Sequence, residues 1–380
     1  MMLFEIQFAT IEIPFSISID HSLKKRNCTQ SFIIYITDAN GLRGYGEGAP
    51  RKYVNNESIE QCKRAFDNIA WPQEISSLKE IKVFVEKLSN QRIPNALITA
   101  IELSLLDLYG KVKGECISEY LNSLQSFPLE YSIVLPFFSN HILENYLEKI
   151  KTLKPASLKF KVGREGDIEA LQLIRKHLPD VPLRLDANCA WSLNKAISMI
   201  QTFSQFGISS IEEPLLQHER HLLTYLSREV DIPIMMDEAI STIEQAQYYT
   251  SHLSSNRFKV NLKISKMGGL FQTEKIHSFL TSKGVSCQLG CNVGETSILS
   301  SAGRLFAQSK KLIHTEGSLG SYFMESDITS DPLTFGNQGK APAITKPGLG
   351  INVREDLLLR YIKYKKMKRI KTRHLIIQTS

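Results

Sequence analysis

Short apolar runs recur through the middle of this chain, each closing on a charged residue. They are Leu158-Lys-Phe-Lys161, Pro182-Leu-Arg-Leu-Asp186, Ile208 to Glu212, Ile232-Pro-Ile-Met-Met-Asp237 and Phe258 to Lys263. The closing residues Lys161, Asp186, Glu212, Asp237 and Lys263 stand 25, 26, 25 and 26 positions apart. Between the runs the apolar residues switch to a helical period, predicting helices over 167–178, 193–206, 217–228, 241–251 and 272–283, with another over 295–309. A strand, a helix and two connections need about that many residues in a βα repeat. Further strands are predicted near Tyr131 to Leu135, near Ser286 to Gly290 and, weakly patterned, near Lys311 to His314. The fold class is therefore α/β, a (β/α)8-type barrel, in which all strand ends bearing the five charges open on one face.

The flanking regions read differently. Phe4, Ile6 and Phe8 alternate with polar residues, Ser31 to Thr37 is rich in strand formers, and Asp38-Ala-Asn-Gly41 is a turn before extension resumes at Leu42. From residue 57 the pattern turns helical, and the longest segment starts with Asn95 as N-cap after Pro94 and is expected to stop at Gly110. Residues 1–125 thus form an N-terminal α+β domain, 126–321 the barrel, 322–357 a loop-rich segment returning to the first domain, and 358–380 a basic C-terminal extension.

Charge enters the picture through that last segment. From Arg360 to Arg373 eight basic residues occur with no acid, which accounts for the whole net charge of +7. A solvated tail is the expectation, so no nucleic-acid partner is inferred. No run reaches the roughly 18 apolar residues of a membrane span, and the apolar N-terminus lacks the basic start of a signal peptide, so no membrane partner is expected either. Six cysteines without a CxxC pair (Cys28, Cys62, Cys116, Cys189, Cys287, Cys291) suit neither a zinc site nor a disulfide framework, and a cytoplasmic location follows as the expectation.

The chemistry lies in the five charges. Asp186, Glu212 and Asp237, from adjacent strands, offer three hard oxygen ligands that suit Mg²⁺, and no histidine at these positions argues for zinc. Lys161 and Lys263 approach from opposite sides of the barrel mouth. A free lysine is a poor base at neutral pH, but burial and nearby cations make it easier to deprotonate. Lys159, on the same strand face as Lys161, is such a neighbour. Lys266, three positions after Lys263, competes for the second role but reads as loop. A carbon acid α to a carboxylate is weak, and a cation on that carboxylate stabilises the charge formed when the proton leaves.

Lys159-Phe-Lys-Val-Gly163, Leu185-Asp-Ala-Asn188, Ile211-Glu-Glu-Pro214, Met236-Asp-Glu-Ala239 and Asn261-Leu-Lys-Ile-Ser-Lys-Met-Gly-Gly269 together resemble the enolase superfamily, in its muconate lactonizing enzyme subgroup with the KxK motif. Gly44-Tyr-Gly-Glu-Gly-Ala-Pro50 and Ala100 to Asp107 resemble its capping domain. The resemblance covers about residues 1–355 and implies a modified TIM barrel whose capping domain is completed by C-terminal residues. It implies one Mg²⁺ per subunit on Asp186, Glu212 and Asp237, and Lys161 and Lys263 as acid and base beside Lys159. Gly290-Cys-Asn-Val-Gly-Glu295 looks most like the dipeptide epimerases, which implies 1,1-proton transfer on an L-Ala-D/L-Glu-like dipeptide, a role in peptidoglycan recycling, and a homo-oligomer.

Ser132, Asn188, Glu295 and Glu316 are then expected around the substrate, with Glu238 supporting the ligands. Lys24 and Arg26 in a loop at 20–26, with Arg51 and Lys52, are expected to favour an acidic side chain. The chain departs from the epimerases on the eighth strand, where His314-Thr-Glu-Gly-Ser-Leu-Gly-Ser-Tyr322 lacks the Asp-x-Asp that binds the substrate's ammonium; Glu316 is the substitute. Cycloisomerisation, o-succinylbenzoate synthesis and N-acylamino acid racemisation are the alternatives within the subgroup. A non-catalytic barrel binding nucleic acid through the basic tail is the alternative outside it.

Overall fold

Strand β1 (Met2–Ile11) buries Phe4, Ile6 and Phe8, as the alternation predicts. The computed structural model describes residues 2–21, 24–121, 127–135, 140–318 and 324–372, with the side chains of 2–3, 17–21, 24–26, 140–141 and 371–372 outside the description. After β1 the chain forms a hairpin of β2 (Pro14–His21) and β3 (Lys24–Cys28). The segment expected as a loop is thus paired strand, with Asp20 opposite Lys25 and Ile19 opposite Arg26. Strands β4 (Ser31–Thr37) and β5 (Arg43–Gly48) follow across the predicted turn. There Asp38 Oδ1 accepts from Asn40 N (2.9 Å) and Leu42 N (2.8 Å), a side chain mimicking a backbone turn.

Alternate glycines on β5 let a helix lie directly on the sheet. A Cβ at Gly46 would sit 2.0 Å from Ala100 O, and one at Gly44 2.2 Å from Ser104 O. The helix Asn95–Lys113 uses Ala96, Ala100 and Ser104, four apart, as its matching small face. It runs past the expected stop at Gly110 and ends at Gly114, where φ is +72°. Gly110 is needed for a different reason: a Cβ there would meet Gly348 Cα at 2.8 Å, so it admits the returning C-terminal segment.

The barrel strands are β6 (Ile133–Leu135), β7 (Leu158–Lys161), β8 (Leu183–Asp186), β9 (Ile208–Glu212), β10 (Ile234–Met236), β11 (Phe258–Leu262) and β12 (Cys287–Leu289). They lie side by side in chain order, all parallel. The weakly patterned eighth position is reduced to one residue, Thr315, which bridges both Leu289 and Tyr131 and so closes the ring. The predicted helices appear at Asp167–His177, Leu193–Ser204, Leu223–Glu229, Ile243–His252, Leu270–Ser282 and Ser297–Ser309. Asn140–Leu153 adds one between β6 and β7 that the pattern did not single out.

Buried acids of the first domain hold it over the carboxyl ends of the strands. Glu102 accepts from Leu270 N (2.5 Å) and Phe271 N (3.2 Å), and Glu47 from Thr296 N (3.0 Å), Thr296 Oγ1 (2.7 Å) and Leu299 N (3.2 Å). Each caps the start of a barrel helix, where backbone donors are otherwise unsatisfied.

The basic segment is not a solvated tail as far as Thr372. After the helix Glu355–Tyr361, strand β13 (Ile362–Thr372) pairs antiparallel with β1, completing the sheet β13-β1-β4-β5. Lys366 pairs with Asp67 Oδ1 (2.5 Å) and Arg369 with Glu5 (3.1 Å), while Lys368 donates to Asp67 O (2.7 Å). No helix among the described residues is long and apolar enough to cross a membrane.

Candidate functional site

At the carboxyl ends of β7 to β11, alternation turns every second residue inward. Register places Lys161 beside Asp186, and Asp186 beside Glu212. All five ladder residues are buried, from 1% exposed at Asp237 to 8% at Lys161 and Lys263. The structure therefore brings Lys161, Asp186, Glu212, Asp237 and Lys263 to one face, as their spacing predicts.

Each carboxylate carries a cation. Lys159 Nζ lies 3.2 Å from Glu212 Oε2, 3.6 Å from Asp186 Oδ2 and 2.8 Å from Glu316 Oε2. Lys161 Nζ lies 3.6 Å from Asp186 Oδ2 and donates to Asn188 Oδ1. Lys263 donates to Asp237 Oδ2, and Lys266 donates to Asp237 Oδ1 (2.8 Å). Asn261 Nδ2 donates to Glu212 Oε1 (2.7 Å), and Asn188 N to Asp186 Oδ1 (3.0 Å).

The electrostatics follow from this crowding. Burial pushes the Glu212 carboxyl up to about 7 against the pull of Lys159. Asp237 is also buried, but Lys263 and Lys266 outweigh that and hold it below the usual carboxylate range. Burial opposes the charge on Lys159 and on Lys263, yet the surrounding carboxylates raise both above an ordinary lysine. Lys159 is thus no bare charge beside Lys161; its field is shared among three acids.

The donor set fits a hard divalent cation. Asp186, Glu212 and Asp237 are carboxylates on adjacent strands, buried together, and Lys159 shows that oxygens of Asp186 and Glu212 converge on one positive centre. Another acidic group lies beside it. Among the described residues, ligand atoms of Cys189, Glu213 and Glu238 fall within 4.8 Å of one another. There Arg220 already supplies a cation, 3.7 Å from Glu213 and 4.0 Å from Cys189. Glu213 also fixes the loop after β10, its Oε1 accepting from Asp237 N (2.8 Å) and Ala239 N (2.6 Å). Glu238 is buried within this group, and burial together with Asp237 and Glu213 raises its carboxyl well above normal.

Other expected residues are placed less simply. Asn188 (φ +44°) sits in the turn after β8 and holds Lys161. Glu295 lines a narrow cleft at the mouth with Cys291 and Glu316. Burial, then Glu47, raises its carboxyl to about 8, although Asn292 N donates to it (2.5 Å). Ser132 is at the other end of the barrel. It precedes β6 where the chain enters the ring, and its hydroxyl shares a 2.6 Å hydrogen bond with Ser157 at the foot of β7. Strand direction makes it a closing contact, not a substrate contact.

Glu316 points into the ring, with Oε1 on Arg184 (2.9 Å) and Oε2 on Lys159 (2.8 Å). Arg51, expected to face substrate, is 1% exposed and donates to Gln30 O, Pro50 O and Val293 O, tying the first domain to the loop after β12. Lys24 and Arg26 lie on β3, and their side chains are outside the described residues.

Lys266, read as loop, is instead on the short helix Ile264–Met267 and 2% exposed. Arg184 and Asn261 carried a legible signal: each stands two residues before a ladder residue, hence on the same inward row.

Comparison with known proteins agrees with this geometry. Residues 145–357 match the family model for enolase C-terminal domain-like proteins. The L-Ala-D/L-Glu epimerase of Bacillus subtilis is 27% identical over 92% of this chain and 97% of its own. The N-succinyl-L-Arg/Lys racemase of Bacillus cereus is 26% identical over 86% of this chain and 89% of its own. Among solved structures, a dipeptide epimerase from Cytophaga hutchinsonii complexed with Mg and D-Ala-L-Val has the same fold, with a TM-score of 0.86 at 21% identity, covering 97% of this chain and 100% of that one.

Proposed function

The chain belongs to the enolase superfamily, and from that premise we propose that it is a Mg²⁺-dependent epimerase of dipeptides, of the L-Ala-D/L-Glu kind. An epimerase and a racemase are among its relatives, which supports isomerase chemistry, although o-succinylbenzoate synthases match as well.

One observation carries it. Lys161 and Lys263 flank three buried carboxylates from opposite sides of an eight-position ring. A substrate carboxylate drawn over Asp186, Glu212 and Asp237 would hold its α-carbon between the two lysine nitrogens. Mg²⁺ held by those three residues would supply positive charge where negative charge develops on that carboxylate. Lys161, steered by Asn188 and Asp186, and Lys263, steered by Asp237, stand on the two faces. One, as the neutral amine, takes the α-proton and becomes an ammonium, and the other, as the ammonium, returns a proton from the opposite side and becomes the amine, which inverts the centre. Burial of all five groups excludes bulk water from the exchange.

The acidic preference for the distal residue is proposed on Lys24, Arg26 and the exposed Lys52, since Arg51 is a buried tie. Such a substrate belongs to cytoplasmic recycling of peptidoglycan peptides. The homo-oligomer expected from the family is proposed on that resemblance alone. A second reading, racemisation of an N-acylated amino acid, is favoured by Glu316, whose oxygens already bind two cations and so offer little to a substrate ammonium group.

Incubation in D₂O with Mg²⁺ tests both. L-Ala-L-Glu should yield its epimer with deuterium at the α-carbon of the second residue, detected by mass spectrometry. Exchange only on N-succinyl amino acids selects the second reading, and exchange on neither rejects the epimerase assignment.

A further inference from the structure

We propose that Arg184 and Glu316 are positioning residues for Lys159 and, through it, for Asp186 and Glu212, and that Glu316 does not bind the substrate's ammonium group. The kinetic part of this proposal rests on the epimerase reading; the structural part stands without it.

The three residues form a continuous buried chain. Arg184 lies opposite Lys159 in the β7–β8 register and two residues before Asp186, so all three project into the ring. Glu316 enters from the other side of the closure, where Glu316 N donates to Leu289 O (2.8 Å) just past the bridging Thr315. Its two oxygens are divided: Oε1 lies 2.9 Å from Arg184 Nη1 and Oε2 2.8 Å from Lys159 Nζ. Lys159 in turn reaches Glu212 (3.2 Å) and Asp186 (3.6 Å).

Among the described residues Arg184 has no other carboxylate partner. It is 1% exposed, its Nη1 is shared between Gln288 Oε1 and Glu316 Oε1, and Nε and Nη2 have no partner among the described residues. A guanidinium taken out of water costs several kcal/mol unless a counter-charge offsets it, and Glu316 is that counter-charge. The reverse also holds. A carboxylate with one oxygen pinned by Arg184 can offer the other to Lys159 in one direction only. Without Arg184, Glu316 is free to turn both oxygens to Lys159 and draw it off Glu212 and Asp186. The pair therefore sets where the lysine stands beneath the metal ligands. Turning Glu316 toward a substrate ammonium would leave the buried Arg184 without its counter-charge, so Glu316 is a poor acceptor for that group.

The test uses the full-length protein with Arg184→Met, Arg184→Lys and Glu316→Gln, assayed on L-Ala-L-Glu and on its N-acetylated form. Positioning predicts that Arg184→Met and Glu316→Gln lower kcat by about 10–100-fold, the usual effect of removing a partner behind metal ligands. The loss should be equal on both substrates, with KM within about twofold, and Arg184→Lys should recover most of it. A loss confined to the free-amine substrate, or a rise in KM at unchanged kcat, overturns the proposal. Where the wild type turns over only one of the two, the division between kcat and KM decides. Crystal structures of the metal-free variants give a second reading: in Arg184→Met, Lys159 Nζ should leave hydrogen-bond distance of Glu212, in Glu316→Gln it should close on Glu212 and Asp186 from its present 3.2 and 3.6 Å, and an unmoved Lys159 overturns the proposal. A wild-type protein inactive on both substrates removes the epimerase reading, while these structures still decide the role of Arg184 and Glu316.

Discussion

Lys266 holds Asp237 twice, at the main-chain oxygen (2.5 Å) and at Oδ1 (2.8 Å), and donates again to Asn261 O (2.8 Å). An ammonium group has three donors, and all three are used. Among the described residues, Lys263 hydrogen-bonds only the other oxygen of Asp237, and it lies at the edge of the buried layer. Of the two lysines, Lys263 is free to face a substrate and Lys266 is not. We expect Lys263→Ala to fold normally and lose α-deuterium exchange by about 10²–10⁴-fold, the range for a positioned acid or base. Lys266→Met breaks a buried ion pair and also leaves Asp237 O and Asn261 O without this donor, whereas Lys263→Ala leaves Asp237 paired with Lys266, so Lys266→Met should be the more destabilising, by about 3–5 kcal/mol. Urea denaturation separates the two. An active Lys263→Ala enzyme, or a fully stable but inactive Lys266→Met enzyme, reverses the assignment.

The difference between those lysines shows what the sequence could and could not convey. Position along a strand is legible, because alternation and a constant repeat length put Lys161, Asp186, Glu212, Asp237 and Lys263 at equivalent strand ends. What each side chain faces is not, because it depends on neighbours far away in the chain. Lys266 and Lys263 look alike in sequence until the main chain of Asp237 is seen above one of them. Ser132 was misplaced since a short first strand gives no sign of which end it occupies. The eighth strand was faint because one residue, Thr315, is enough to close the ring. Residues 362–372 read as a tail because lysine-rich edge strands carry little of the apolar alternation that marks a strand.

Gly46 tests the contact between β5 and the helix above it. A methyl group there would lie 2.0 Å from Ala100 O and 2.7 Å from Ser104 N, both main-chain atoms that cannot rotate away. Gly46→Ala should destabilise by about 1–3 kcal/mol or more through overpacking, seen as a lower urea midpoint. Gly41→Ala, in a turn with nothing within 4 Å but φ at +84°, should lose less, since only backbone strain acts there.

Glu102 should make stability fall as pH rises through the neutral range. Burial pushes its carboxyl up to about 8, despite donation from Phe271 and Leu270, and its Oε2 has no partner among the described residues. In the unfolded chain a glutamate titrates near 4.3. Between about pH 4.3 and 8 the folded state therefore binds more protons, so stability declines with pH, at most about 1.4 kcal/mol per unit for one group. Above that window the contribution is lost. Glu102→Gln keeps an acceptor for Leu270 N without the titration. Denaturation across pH 5–9, compared between the two proteins, should show a shallower decline for the variant. Parallel pH curves would exclude Glu102 as the source.

The strand β13 makes the final case, because it separates two accounts of the basic C-terminus. A solvated tail can be removed without effect. An edge strand cannot: β13 pairs with β1 at ten positions from Met2–Thr372 to Ile11–Ile362. At roughly 0.2–1 kcal/mol per cross-strand pair, its loss amounts to several kcal/mol. Removal would also expose the β1 edge, and an unpaired edge invites association between copies. Truncation after Tyr361 should lower the melting temperature and promote aggregation, followed by calorimetry and light scattering. The alternation also predicts which replacements matter. Lys363, with its side chain exposed, should tolerate glutamate, whereas Lys366→Glu places like charge beside Asp67, now 2.5 Å away, and should destabilise the docked strand. Equal tolerance at both positions would mean that β13 is not held on the sheet in solution.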